Sequence, residues 1–151
     1  MNTFFDDYTG VVTLCGSTKF YDEAVECNRI LTCKGWIVLM SGLWLHTIHK
    51  DFDISPIDLE KVKQLHLKKI YMSDAIVVVS DKSGYIGDST KREIEFTQKF
   101  HIPIFYYTEN KFVGNTNIHP FYLTNLKLKE GYTVQGIEDV QSFEFQDEYF
   151  F

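Results

Sequence analysis

A chain of 151 residues with 44% hydrophobic side chains and a net charge of −6 is long enough for one domain with its own core and too apolar to be disordered. The acidic balance argues against a nucleic-acid polymer as partner, because phosphate backbones need a basic surface. Three cysteines, Cys15, Cys27 and Cys33, stand without CxxC or Cys–His spacing, which excludes a disulfide framework and a zinc finger and fits a reducing compartment.

The opening stretch MNTFFDDYTG has no basic region followed by an apolar run, so no secretory leader is expected. No apolar run approaches the roughly 20 residues of a bilayer span. The expectation is a cytoplasmic protein with no membrane partner, in one domain over residues 1–151 with 136–151 as a tail.

Strands and helices alternate along the chain. Val11–Cys15 is a short β-rich run ending at Gly16. From Lys19 to Lys34 the apolar residues Phe20, Ala24, Cys27, Ile30 and Leu31 recur at helical spacing, and Gly35 stops the helix. Trp36–Met40 is a second apolar run, closed by Ser41-Gly42. Residues 43 to 56 are irregular. Ile57–Met72 is helical, with Leu59, Val62, Leu65 and Ile70 between lysines. Ala75–Val79 is almost wholly β-branched and predicts a strand buried on both faces. After a loop over Ser80–Ser89, Thr90–Phe100 is helical. Ile102–Tyr107 is a fourth strand, with Pro103 tolerable near its start. Tyr132–Gln135 is a candidate fifth.

This order predicts an α/β fold: a flavodoxin-like, Rossmann-like doubly wound parallel sheet of about five strands with helices on both faces. Ligands of such sheets bind at the carboxyl ends of the strands. Three loops are thereby selected. The first, Gly16-Ser17-Thr18-Lys19, offers a tight turn, two hydroxyls and a cation at a helix N-terminus, which suits phosphate or sugar; helix capping by Ser17 or Thr18 is the plain alternative. It is neither GxGxxG nor a P-loop.

The second loop, Ser41–Pro56, carries Trp44, which stands as either core or a stacking wall for a planar base. The third runs Tyr85-Ile-Gly-Asp-Ser-Thr-Lys-Arg-Glu93. Thr90 and Glu93 have the spacing of a capping box, the structural explanation for Glu93. A catalytic carboxylate would occupy the same first turn. Glu95 points to a different face and is expected to be solvated or ion-paired. His46, His49 and His66 lack an HExxH-type pattern, so no metal site is expected. Cys15, at the end of a buried strand, is expected to be inert.

These segments together resemble the nucleoside 2-deoxyribosyltransferase superfamily, which includes the 2'-deoxynucleoside 5'-phosphate N-hydrolases. The resemblance covers residues 11 to 106. It rests on Leu14-Cys-Gly-Ser-Thr-Lys-Phe20, on Lys69–Val79 with its Asp74-Ala-Ile-Val-Val-Val79 strand, on Gly84–Phe96, and on Lys99-Phe-His-Ile-Pro-Ile104. It implies that Glu93 is the nucleophile attacking C1' of the deoxyribose, and that no cofactor is needed. The family often has an Asp six residues before this Glu; here that position is Gly87, and Asp88 becomes the candidate proton donor, with pairing to the helix dipole as its alternative role.

Where the hydrolases have a sugar-contacting Asp, this chain has His66. Lys19 stands for their phosphate-contacting Arg, keeping the charge without the bidentate geometry. Ser17 and Ser89 match hydroxyl positions for phosphate or sugar, and Tyr85 joins Trp44 as a possible stacking wall. The partner implied is a small nucleoside or nucleotide. A non-catalytic nucleotide-binding module on the same fold is the rival reading; a flavin site is disfavoured by too few Ser/Thr in the phosphate loop. The family's enzymes are oligomers, and Phe143, Phe145, Tyr149, Phe150 and Phe151 suggest a tail that buries between subunits or on the chain's own sheet edge.

Overall fold

The computed structural model describes residues 4–47, 58–114 and 127–128. A five-stranded sheet runs through it in the order β3-β2-β4-β5-β6, with β2 Val11–Cys15, β3 Ile37–Leu39, β4 Ala75–Val79, β5 Ile104–Thr108 and β6 Lys111–Gly114. The first four strands are parallel. Chain order reverses at β2, which has β3 on one side and β4 on the other, as in doubly wound sheets. Two short N-terminal elements precede it: helix α1 Phe4–Asp7 and strand β1 Tyr8–Thr9, the latter antiparallel to β7 Lys127–Leu128.

Alternation along the strands sorts the core into two layers. Val12 and Leu14 of β2, with Ala75, Val77 and Val79 of β4, pack against Ala24, Cys27 and Leu31 of helix α2 Tyr21–Cys33. Their neighbours Cys15, Ile76 and Val78 face the other way, against Ile70 of helix α3 Leu59–Tyr71 and Ile94 of helix α4 Asp88–Lys99. All five residues of β4 are buried, as a β-branched run covered on both faces should be. Helices therefore flank both faces, as the sequence predicts.

Aromatic side chains crowd the first layer. Phe4 stacks on Phe105 with ring centroids 4.7 Å apart, and Phe5 meets Phe105 edge-on at 4.7 Å and Trp36 at 5.1 Å. The Trp36 indole donates to the Phe5 carbonyl at 3.1 Å. Helix α1 thus joins the first core layer through Phe4 and Phe5.

Two expectations are corrected. The sheet is mixed, not wholly parallel, because β6 pairs antiparallel with β5. The cause is the Glu109-Asn110 turn, where both residues take positive φ, 48° and 64°; two such residues reverse the chain into a hairpin. The helix expected from Thr90 begins at Asp88. The candidate strand Tyr132–Gln135 and the aromatic tail lie outside the described residues. Among the described residues no helix is long and apolar enough to cross a membrane.

Candidate functional site

At the carboxyl ends of β2 and β4 lies a cavity of about 350 Å³ lined by Gly16, Ser17, Thr18, Trp44, Lys63, His66, Gly87, Asp88, Ser89 and Glu93 among others. Its place is the crevice that the strand-order reversal creates, and its size is at the lower end for small-molecule sites. Gly16 makes the crevice possible. Its φ is +148°, and a Cβ there would sit 2.6 Å from the Val79 carbonyl oxygen. A side chain would strain the backbone and collide with the end of β4.

Beyond Gly16 the chain turns at Ser17, whose Oγ accepts from the Lys19 N–H at 3.4 Å and so caps the short 3-10 turn Thr18–Phe20. Trp44 is 2% exposed and belongs to the first core layer, while its edge also lines the cavity. Its indole donates to the Ser17 carbonyl at 3.0 Å, tying the second loop to the first. Lys19 and Tyr85 are not among the cavity lining. They pair with each other, Lys19 Nζ lying 3.5 Å from the Tyr85 ring centroid, a cation–π contact.

Helix α4 positions Glu93. Its N-cap is Gly87, which offers no side-chain cap. Thr90 therefore lies inside the helix and is buried, not at its cap. The expected capping box does not form, because the helix is capped at Gly87, three residues before the Thr90 cap that the box requires. Glu93 is left free to turn from the helix end toward the cavity floor, with Asp88 and Ser89 exposed in the first turn above it. Glu95 is exposed.

Helix α3 supplies the facing side. Asp58 caps it by accepting from the Glu60 and Lys61 N–H groups at 3.1 and 3.2 Å. Leu59, Val62, Lys63 and His66 then recur at helical spacing and all line the cavity. His66 Nε2 lies 3.3 Å from Glu93 Oε1 and 3.7 Å from Cys15 Sγ. Three elements, the end of β2, α3 and α4, thus bring a thiol, an imidazole and a carboxylate together. Nδ1 of His66 is buried with no hydrogen-bond partner.

Burial governs the charges here. It pushes the Glu93 carboxyl up to about 7, against a smaller downward pull from Arg92. It pushes His66 down to about 4, with Lys69 adding in the same direction. The Cys15 thiol is raised well above its ordinary value by burial and by the Glu93 charge. Near neutrality the imidazole is uncharged, the thiol is protonated and the carboxyl is poised between its two forms. A Cys–His–acid relay is not built: such a relay uses opposite ring nitrogens, whereas Cys15 and Glu93 both approach Nε2.

The sequence reading missed Cys15 and Lys63. The signal for Lys63 was its spacing three residues before His66 on one helix face. The signal for Cys15 was its place as the last strand residue before Gly16. The side chains of His46 and His49 lie outside the described residues.

Fold and cavity together define a doubly wound α/β protein with a cavity at its switch point. Compared with protein-family models, curated proteins and solved structures, the chain matches none.

Proposed function

We propose that this chain cleaves or transfers the N-glycosidic bond of a 2'-deoxynucleoside or its 5'-monophosphate, as the resemblance over residues 11 to 106 implies. The observation that carries the reading is the position of Glu93. It is a side chain 16% exposed on the floor of the switch-point cavity, with hydroxyls of Ser17, Thr18 and Ser89 around the rim. A carboxylate nucleophile needs such a place: sheltered from water, yet reachable from an open crevice.

In the proposed reaction a Glu93 oxygen bonds to C1' as the C1'–N bond breaks, and that bond's electron pair leaves with the base. Asp88, on the same cavity wall, protonates the departing base. Water or a second base then attacks C1' and releases the carboxylate, so that one difficult displacement becomes two. His66 positions the carboxylate from 3.3 Å.

The test is incubation of the purified chain with the four 2'-deoxynucleosides and their 5'-monophosphates, with free base read by chromatography. Base release that disappears in Glu93→Ala supports the reading. No release, or release unchanged by Glu93→Ala, refutes it. Stabilisation by a nucleotide that persists in Glu93→Ala without any base release would establish the binding module instead.

A further inference from the structure

The convergence of Cys15, His66 and Glu93 has a second chemical meaning. Their ligand atoms all lie within 4.8 Å of one another, and the residues are buried or nearly so; this is the group of metal-ligating side chains found among the described residues. Sulfur and oxygen both approach the same ring nitrogen, an arrangement that points inward to a shared centre and not along a chain of proton transfers.

Two of the three ligand separations match a tetrahedral ion, and the third, from the Cys15 sulfur to the Glu93 oxygen, lies within 4.8 Å and closes to about 3.5 Å on binding. With zinc bonds of about 2.0 Å to nitrogen and oxygen and about 2.3 Å to sulfur, the nitrogen–oxygen edge is about 3.3 Å and the nitrogen–sulfur edge about 3.5 Å. The observed separations are 3.3 Å and 3.7 Å. We propose that Cys15, His66 and Glu93 form a three-ligand site for a divalent ion of the zinc class, with the cavity leaving the fourth position open.

The donor set selects the ion. One sulfur, one imidazole nitrogen and one carboxylate oxygen suit zinc, cobalt or cadmium, and do not suit magnesium or calcium, which take oxygen ligands. On binding, the Cys15 thiol gives its proton to solvent and its sulfur bonds to the metal; no electron transfer is involved. The ring's other nitrogen has no acceptor, a deficit of about 10- to 100-fold in affinity relative to a site with that support. The ion is therefore exchangeable. It also opposes glycosyl transfer while bound, because it draws electron density from the carboxylate that would attack. The metal site itself does not depend on the glycosidic reading.

The test uses the full chain, stripped with chelator and titrated with cobalt(II) alone. The expected result is a near-ultraviolet thiolate-to-cobalt band with intense visible bands of a tetrahedral ion, saturating at one ion per chain and abolished by added zinc. Cys15→Ser should remove the charge-transfer band. His66→Gln should weaken binding at least tenfold. Cys33→Ser, which changes an exposed thiol, should leave the spectrum unchanged. Buried tryptophan emission confirms folding of each variant. Absence of the band in the parent chain, its survival in Cys15→Ser, or its loss in Cys33→Ser overturns the proposal, whether or not the chain releases base from any nucleoside.

Discussion

Glu93→Gln should make the metal-free protein more stable, but only at neutral and alkaline pH. Burial raises the folded-state carboxyl from an ordinary 4.5 to about 7. A group whose folded value is raised keeps its full contribution below the unfolded value and loses it as pH rises through the folded one. At about 1.4 kcal/mol per pH unit, the ionised carboxylate costs the fold about 3 kcal/mol by pH 8. Gln keeps the shape and a polar end beside His66 without the charge. The two proteins should differ by less than about 1 kcal/mol at pH 4.5 and by about 3 kcal/mol at pH 8. With a urea dependence of about 1–3 kcal/mol per molar, the pH 8 gap is a rise in midpoint of about 1–3 M. Trp36 and Trp44 are both buried, so their emission reports unfolding in chelator-containing buffer. A gap at pH 8 that is absent, reversed or equal to the gap at pH 4.5 would show that the carboxylate is better solvated than its surroundings indicate.

The acid side belongs to His66, whose folded value falls to about 4 from 6.5; its contribution is present above 6.5 and lost as pH falls through 4, so His66→Gln should flatten the stability loss measured by urea titration over that window. Gly16→Ala should lower stability by about 2–5 kcal/mol, combining a left-handed backbone with overlap on the Val79 carbonyl, and an unchanged melting temperature would refute the close approach. Phe105→Ala empties the space between Phe4 and Phe5 and should cost about 3–5 kcal/mol in chemical unfolding. Deleting residues 143–151 tests whether Phe143, Phe145, Tyr149, Phe150 and Phe151 bury between subunits: light scattering should show a lower mass, and an unchanged one removes that role.

The parallel strands were legible because burial on both faces leaves a compositional mark. Ala75–Val79 and Val11–Cys15 carry it, and both occupy the predicted positions. The hairpin that makes the sheet mixed left none. Its turn residues, Glu109 and Asn110, are not the Asn-Gly or Asp-Gly pair that usually marks a two-residue hairpin. Helix α1 escaped notice because four residues are too few to show a period. Phe4 and Phe5 fix it by packing on Phe105, a partner about a hundred residues away in sequence, and no local pattern carries that information.

At the site, the ambiguity over Glu93 had a local cause. Thr90 and Glu93 satisfy a capping box by spacing, and spacing says nothing about where the helix begins. Gly87 takes extended dihedrals as N-cap, so Asp88 and Ser89 become helical and Thr90 moves inside. That three-residue shift of the cap converts Glu93 from a group that would fold back on its own helix into one that faces β2 and α3. The same shift brings it to His66, and through His66 Nε2 to Cys15. A reading confined to α4 could weigh capping against catalysis but could not see the thiol. The decisive facts are tertiary: Gly16 lets β2 and β4 end side by side, α3 descends onto that end with His66 inward, and three side chains distant in sequence meet on one ring nitrogen.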